Sequence, residues 1–416
     1  LAKGTSDLAG SFLSAKQERW VICLNQPIQD LLDRYKGDAI SLRRKLRQSP
    51  ELSMQETNTT RVIRETLEQY GIRCMEDYSL PTGAAAILEG KEPGKTLLLR
   101  ADIDALPMEE KSALPFASQH SGVCHSCGHD IHTSALLLCA RILSTLEQPR
   151  RGRVILLFQP AEETGQGSKA VIDSGLLERY PPDLVLGAHC WPDLHAGSVG
   201  LRVGSFMAAS DTLHIRVKGK GGHGAHPHKS IDPVVTAAYI ITQLQSIVSR
   251  SIDPLESVVI TIGTLSAGTV TNVIPDEVQM GGTVRIANGH MQPLVEERIR
   301  TICHSCAQAM GAECEVNYVH GMPALDCDAQ AVSILERAAK AQLGEKRVAF
   351  LPRPSMGSED FARYLTLAPG AMFRIGTANQ SDQSRLPLHN AHIIFDEEAI
   401  TTGAALFCRA AMDYLN

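Results

Sequence analysis

The chain has 416 residues, which is too long for one ordinary hydrophobic core and indicates two domains. Its 44% hydrophobic and 21% charged residues are typical of a globular protein, and no apolar run is long enough to cross a bilayer. The formal net charge of −6 gives no reason to expect nucleic-acid or membrane partners.

The first half of the chain predicts an α/β domain. Helices are predicted over residues 28–47, 56–70, 133–146 and 169–174, and short apolar strands over 96–101, 153–158 and 184–188. Continuous apolar strands that alternate with helices favour a mostly parallel sheet covered on both faces. The Gln26-Pro27 pair is expected to mark a boundary, so residues 1–30 are assigned to an N-terminal extension of unknown role.

The pattern changes near Ala208 and predicts a second domain. A strand over 212–218, a helix over 233–248, strands over 257–264 and 277–286, a helix over 291–310 and a strand over 313–318 follow in turn. This β-α-β-β-α-β order predicts a ferredoxin-like α+β unit. Because the parallel pattern then resumes, we predict that residues 208–319 are inserted into a domain made of residues 31–207 and 320–416.

The chain contains 11 cysteines, an odd number with scattered spacing. Several of them, such as Cys139 and Cys408, fall inside apolar helical patterns. Such cysteines are typical of reduced, mostly buried thiols, so we predict a reducing, cytoplasmic compartment.

The densest polar segment precedes the third predicted helix. Residues 124–132 read Cys-His-Ser-Cys-Gly-His-Asp-Ile-His. Burying so many polar groups is costly without a partner, and a transition metal is the usual partner. Cys127 and His129 are good zinc ligands, and His125 and His132 are either ligands or supporting residues. The alternative is an isolated CxxC, buried or forming half of a zinc ribbon, although the other CxxC, at 303–306, lies in a predicted helix of the inserted domain.

Polar residues also follow three of the apolar strands. Asp102 and Asp104 follow the first, Glu162 and Glu163 the second, and His189 ends the third. Ligand sites of parallel sheets lie at the carboxyl ends of the strands, which favours a site over the exposed acidic loop that a Glu-Glu pair more often forms. Two carboxylates facing one site need a cation or a proton between them. In a metallohydrolase one binds metal and the other takes a proton from the attacking water.

A glycine-rich segment at 219–224 reads Gly-Lys-Gly-Gly-His-Gly and matches the GxGxxG pattern. Pro227 and Pro233 disrupt the helix that a dinucleotide site requires, and no βαβ unit surrounds the motif. His223 in this turn could instead donate to a developing oxyanion. The alternative is a solvated, histidine-rich loop.

Together these motifs resemble the dinuclear-metal aminoacylase and carboxypeptidase family, in its amidohydrolase branch. That branch includes hippurate hydrolases, N-acyl-amino-acid amidohydrolases and indole-acetyl-amino-acid hydrolases. The matching segments run in order along nearly the whole chain, at 99–107, 127–130, 159–163, 187–189, 221–225, 272–275, 356–361 and 388–390.

The resemblance implies two divalent metal ions per chain, zinc first and manganese, cobalt or nickel as alternatives. Cys127 would bridge the ions, His129 and His189 would complete one, and Glu163 and His389 would complete the other. Cys190, which directly follows His189, is a second thiol that could compete for metal.

The catalytic residues that the resemblance implies are Glu162, His223 and Asp104. Glu162 would be the general base and then the general acid, and Asp104 would be the carboxylate that supports the metal ligands. On the inserted domain, His223 would polarise the scissile carbonyl in a neighbouring active site, and Asn272 and Arg285 would bind substrate, with Arg285 anchoring its carboxylate. That domain would act as a lid and form a homodimer or a higher homo-oligomer.

The implied function is hydrolysis of N-acyl or aryl-acyl amino acids at the amide bond by a metal-bound hydroxide. One alternative is a dipeptidase or carboxypeptidase of the same family. Another is a metal-dependent binding protein without catalysis, although such a protein needs neither Glu162 nor His223. A third is a zinc-stabilised interaction module, which predicts one tetrahedral metal without an open position.

Overall fold

The computed structural model describes residues 6–146 and 151–416, with side chains from residue 26 onward. The described residues form two compact units. The first comprises the described residues up to Val203 together with Cys327–Pro352 and Arg363–Asn416, and the second comprises Gly204–Asp326 and Arg353–Ala362. None of the helices in the described ranges combines the length and the apolar character needed to span a bilayer.

The helices and strands are numbered in chain order. The helices are α1 (Ser6–Gln48), α2 (Thr57–Gln69), α3 (His129–Thr145), α4 (Gly167–Asp173), α5 (Leu176–Arg179), α6 (Pro233–Ser246), α7 (Gln292–Ala309), α8 (Ala329–Leu343) and α9 (Glu398–Leu415). The strands are β1 (Ala84–Glu89), β2 (Glu92–Asp102), β3 (Arg151–Gln159), β4 (Leu184–His195), β5 (Val199–Leu201), β6 (Gly204–Met207), β7 (Ala209–Lys218), β8 (Gly222–His223), β9 (Val258–Ala267), β10 (Val273–Ile274), β11 (Glu277–Ile286), β12 (Glu313–Met322), β13 (Leu325–Cys327), β14 (Val348–Phe350) and β15 (Gly370–Ala378).

The first unit is built on a seven-stranded sheet in the order β1-β3-β2-β4-β15-β5-β14. The pairs β3–β2, β2–β4, β4–β15 and β5–β14 are parallel, and β1–β3 and β15–β5 are antiparallel. The central strands are buried along most of their length, as their continuous apolar sequences require. The carboxyl ends of β2 and β3 therefore lie side by side, with Asp102 paired to Gln159.

The second unit contains a four-stranded antiparallel sheet in the order β12-β7-β11-β9. Alternate residues of β7 point into its core, which α6 and α7 complete. This is the strand order of a ferredoxin-like sandwich. The prediction of an α/β fold with an inserted ferredoxin-like unit is therefore confirmed.

Three local expectations differ from the structure. His189 was expected to end a strand, but β4 continues to His195. The helix predicted over 28–47 is part of α1, so the helix start expected after Gln26-Pro27 is wrong. Pro27 removes one helical hydrogen bond, but α1 runs through it. The edge strand β1 was not predicted, because its Ala-Ala-Ala-Ile-Leu-Glu sequence has low strand propensity and only its pairing with β3 defines it.

Candidate metal centre

The loop before α3 carries Cys127, and His129 is the first residue of that helix. Gly128 between them has φ 88° and is the N-cap of α3. A Cβ at this position would lie 2.9 Å from the sulfur of Cys190, so glycine is required both for the backbone conformation and for the close approach. The sulfur of Cys127 lies 3.4 Å from Nε2 of His189 on β4.

A first group of potential metal ligands consists of Cys127, His129 and His189, whose ligand atoms all lie within 4.8 Å of one another. Nδ1 of His129 donates to the backbone carbonyl of Asp104 at 2.9 Å, and Nδ1 of His189 donates to that of Cys190 at 2.8 Å. These bonds fix both ring orientations and leave Nε2 of each ring as the coordinating atom.

A second group consists of Cys127, Glu163 and His389, again within 4.8 Å. Nε2 of His389 lies 3.4 Å from Oε2 of Glu163. The backbone N–H of His389 donates to the carbonyl of Ser126 at 3.1 Å, which ties this distant segment to the Cys127 loop. The His389 side chain is 51% exposed, so this group faces solvent on one side.

The two groups share the sulfur of Cys127, and Glu162 lies beside them. Oε2 of Glu162 is 4.0 Å from Nε2 of His129, and the Glu162 residue is 7% exposed. Glu162, His129 and Glu163 form a further group within 4.8 Å. The structure thus brings together all five predicted ligands and the predicted base.

The donor atoms fit bound metal. Nε2 of His129 and Oε1 of Glu163 are buried 3.8 Å apart, and neither has a hydrogen-bond partner among the described residues. Buried polar atoms without partners are costly, and a cation between them would satisfy both. Thiolate, imidazole and carboxylate together suit zinc.

The electrostatics around His129 also favour a cation. Burial acts to lower the pKa of this ring, but the carboxylates of Asp102, Asp104 and Glu163 outweigh burial and raise it to about 10. The pKa of His189 is instead held below its usual range by burial and by the neighbouring histidines. The carboxylates around His129 therefore favour a positive charge beside this ring, whether a proton or a metal ion carries it.

His132 lies beside these ligand groups and is held by two hydrogen bonds. Its Nδ1 donates to Oδ1 of Asp102 at 2.6 Å, and its Nε2 accepts the backbone N–H of Cys190 at 2.7 Å. Both ring nitrogens are therefore occupied, although Asp102, His129 and His132 also lie within 4.8 Å of one another. Oδ2 of Asp102 accepts a hydrogen bond from Arg100 at 2.7 Å. Of the two roles left open for His132, the structure favours the supporting one.

None of the ligand groups found among the described residues contains His125, Cys190, Cys303 or Cys306. His125 is buried, and burial lowers its pKa to about 4. The sulfur of Cys190 points to the carbonyl of Gly128 at 3.8 Å. Cys303 and Cys306 lie in α7, where they pack into the core of the second unit.

Three predicted residues lie in the second unit. His223 on β8 pairs with Val273 on β10, and the carbonyl of Asn272 accepts the N–H of Gly224 at 2.9 Å. Nδ1 of His223 accepts the N–H of Ala225 at 3.0 Å, so the neutral ring carries its proton on Nε2. The structure thus brings His223 and Asn272 together. Arg285 lies on β11 and donates to Oγ of Ser358 at 2.9 Å.

Arg100 was not singled out from the sequence. Its guanidinium is fully buried and joins Asp102 to Gln159, with Nε 2.9 Å from Oε1 of Gln159. The signal was present, because a charged residue in an otherwise apolar strand is rarely buried without a partner.

Comparison with known proteins agrees with this geometry. Residues 98–413 match the profile described as Peptidase family M20/M25/M40. The N-acetyl-L-cysteine deacetylase of Bacillus subtilis is 40% identical over 377 residues, covering 91% of this chain and 88% of the relative. The hippurate hydrolase of Campylobacter jejuni is 36% identical over 388 residues, covering 93% of this chain and 99% of the relative. The crystal structure of Bacillus subtilis YXEP protein, described as a dinuclear metal-binding peptidase from the M20 family, has a TM-score of 0.82 and 34% identity, covering 92% of this chain and 99% of that one.

Proposed function

Because the chain belongs to peptidase family M20/M25/M40, whose relatives are named hydrolases, we propose that it is a metal-dependent amidohydrolase that cleaves N-acyl amino acids. The resemblance drawn from the sequence motifs is confirmed by the family match. The names of the two curated relatives refer to N-acetyl-L-cysteine and hippurate, and both compounds are N-acyl amino acids. They support this substrate class.

One observation carries the proposal: the group Cys127, His129 and His189 and the group Cys127, Glu163 and His389 share one sulfur. A thiolate common to two sets of ligands can bridge two divalent ions. Zinc is the first choice, with manganese, cobalt or nickel as alternatives. A single closed structural zinc needs no second group and no half-exposed ligand such as His389.

The mechanism assigns the proton transfers to Glu162. Two divalent ions held by these ligands would lower the pKa of a water molecule towards neutrality and stabilise negative charge on the scissile carbonyl oxygen. Glu162 takes one proton from the water molecule while the water oxygen attacks the carbonyl carbon of the substrate. It then returns that proton to the nitrogen of the departing amino acid, so the carboxylate ends the cycle ionised. Its position beside His129, largely shielded from solvent, supports this role.

For the second unit we propose the roles that the family resemblance implies. His223 donates through Nε2 to the carbonyl oxygen of the scissile amide. This role is supported by the hydrogen bond that its Nδ1 accepts, because the proton of the neutral ring then lies on Nε2. Asn272 assists in binding, and Arg285 binds the carboxylate of the substrate.

We further propose that the second unit forms a homodimer. Its edge strand β9 exposes Val259 and Leu265, and α6 exposes Val234, Val235 and Tyr239. An edge strand with exposed apolar side chains favours pairing with another chain. The test is the molar mass in solution of the wild type and of Val259→Lys. We expect a dimer for the first and a monomer for the second, and a monomeric wild type contradicts the proposal.

The function is tested by metal analysis combined with a substrate panel. The panel contains N-acetyl, N-benzoyl and indole-acetyl amino acids and matched dipeptides, each assayed with and without chelator. We expect two ions per chain and chelator-sensitive hydrolysis of acyl amino acids. Faster turnover of dipeptides than of acyl amino acids would favour a peptidase. Two bound ions without any turnover would favour a binding protein, and a single tetrahedral ion would favour an interaction module.

A further inference from the structure

The carboxylate of Glu56 is buried and reaches the segment that carries the proposed base. Glu56 is 0% exposed, and its Oε1 accepts the backbone N–H of Ala161 at 2.8 Å. The two residues are separated by 105 positions, and Ala161 immediately precedes Glu162. This contact therefore joins the start of α2 to the loop that follows β3.

Capping of α2 does not account for this carboxylate. Glu56 occupies the N-cap position, but its side chain makes no capping hydrogen bond. Glu51 caps the helix instead, because its carboxylate accepts hydrogen bonds from the N–H groups of Asn58 at 3.0 Å and Thr59 at 2.8 Å. The side chain of Glu56 is thus left to bind the loop.

Ala161 needs such support because its φ is 52°. The left-handed region is unfavourable for a non-glycine residue because Cβ crowds the following carbonyl oxygen, so the local sequence alone favours another conformation. The carbonyl of Ala161 accepts the N–H groups of Gln166 at 3.2 Å and Gly167 at 3.0 Å. Glu56 holds the peptide group before Ala161, and this turn holds the one after it.

We propose that Glu56 is a positioning residue that keeps Ala161 in the left-handed conformation and so directs the Glu162 carboxylate into the site. The inference rests on the proposed function, which makes Glu162 the base. Glu56 touches neither the substrate nor the metal ligands in this role. The neighbouring ligand Glu163 has a separate anchor, because its N–H donates to Oδ2 of Asp104 at 3.0 Å. Loss of Glu56 should therefore lower turnover while metal binding persists.

The test compares Glu56→Met, which keeps the length but removes the acceptor, with Glu56→Gln, which keeps the acceptor. We expect kcat of Glu56→Met to fall by about tenfold or more, since small misplacements of a catalytic group are costly, with KM within about twofold and two ions retained. Glu56→Gln should stay within about threefold of wild type. Full activity of metal-loaded Glu56→Met, loss of its metal, or equal loss in both variants would overturn the proposal.

Glu51→Ala is the matched control. It removes the side chain that caps α2, and so lowers stability, but leaves the contact with Ala161. It should lower the melting temperature and keep kcat. If it lowers kcat as much as Glu56→Met, the effect is one of general stability and the proposal fails. Should Glu56→Met not fold, Glu56→Asp, which is one methylene shorter, tests the same reach: reduced kcat supports the proposal and unchanged kcat overturns it.

Amide hydrogen exchange over residues 159–167 gives a readout independent of activity. In the metal-loaded chain, exchange at Ala161 should be faster in Glu56→Met and unchanged in Glu56→Gln and Glu51→Ala. If the wild type hydrolyses none of the acyl amino acids, the proposed function fails while this result stands. If exchange at Ala161 is the same in all variants, the positioning role fails whatever the substrate.

Discussion

Oδ2 of Asp104 accepts a hydrogen bond from the backbone N–H of Glu163 at 3.0 Å. The other carboxylate oxygen, Oδ1, lies 3.3 Å from Nδ1 of His129. Of the two groups that share Cys127, one contains His129 and the other contains Glu163. Asp104 thus contacts a ligand of each proposed ion, because its backbone carbonyl accepts from Nδ1 of His129 and its carboxylate faces that ring and accepts from Glu163. Asp104 therefore links the two halves of the site.

Asp104→Ala should weaken the binding of both ions. Residues that orient metal ligands typically contribute about 10–100-fold in metal affinity, and this one contacts a ligand on each side. The measurement is metal content after dialysis against a weak chelator. Ser53→Ala is the control, because Ser53 donates to the same Oδ2 at 2.7 Å but contacts neither ligand. We expect it to keep both ions, and loss of only one ion in Asp104→Ala would contradict the shared role.

Glu162→Ala and Glu163→Ala should have opposite effects although the residues are adjacent. Removal of the base should lower kcat by about 10²–10⁴-fold, so that little turnover remains, while both ions are retained. Removal of Glu163 should reduce the metal content, because Glu163 and His389 are the non-bridging residues of one ligand group. Metal analysis and kcat are measured on the same preparations. Activity in metal-replete Glu162→Ala, or two tightly held ions in Glu163→Ala, would refute these assignments.

Most of the proposed ligands could be recognised in the sequence, because polar residues that follow buried parallel strands meet at one edge of the sheet. The carboxyl ends of the parallel strands β2 and β3 meet at one edge, which places Asp102 beside the segment that carries Glu163. His189 joins them from inside β4, two residues beyond the pairing of that strand with β2. His389 does not end a strand, and the family motif alone identified it. Its φ of 62° and its bond to Ser126 are features of the folded chain.

The supporting contacts could not be predicted in this way. Glu56 binds Ala161 across 105 residues, and no spacing rule links a helix N-cap to a distant loop. Arg100 and Gln159 meet because β2 and β3 are neighbours in register, which the sequence does not state. Such pairs depend on tertiary packing, whereas the local patterns report only helix and strand periodicity.

His223→Ala should lower kcat by about a hundredfold or more with metal content unchanged, because one oxyanion donor is typically worth about 3–4 kcal/mol. His226→Ala is the matched control. Its ring lies 5.2 Å from that of His223, centroid to centroid, in the same exposed loop. We expect the control to keep its activity. If His223→Ala stays within twofold of wild type, the proposed donor role is excluded.

The ion network at the start of α3 should be a large contributor to stability. Asp130 is fully buried, with Oδ2 2.7 Å from Nε of Arg43 and 3.7 Å from Nη1 of Arg47. The guanidinium groups hold the pKa of Asp130 below its usual range despite its burial, which acts in the opposite direction. Asp130→Ala would remove this partner from two buried cations, of which Arg43 keeps Glu397 and Arg47 keeps Glu110. Loss of a buried partner that leaves a charge unpaired typically costs about 3–5 kcal/mol, so we expect a loss towards the lower end of that range.

Urea denaturation of metal-free protein measures this cost without any contribution from bound ions. Glu65→Ala is the comparison, because it breaks the Arg61–Glu65 pair, whose side chains are 54% and 49% exposed. An exposed pair on a helix contributes only about 0.3–0.5 kcal/mol, since solvent screens it and two side chains lose freedom. The free energy of unfolding should therefore fall several times more in Asp130→Ala than in Glu65→Ala. Equal losses would mean that water reaches the Arg43–Asp130 pair and that the network is not buried in solution.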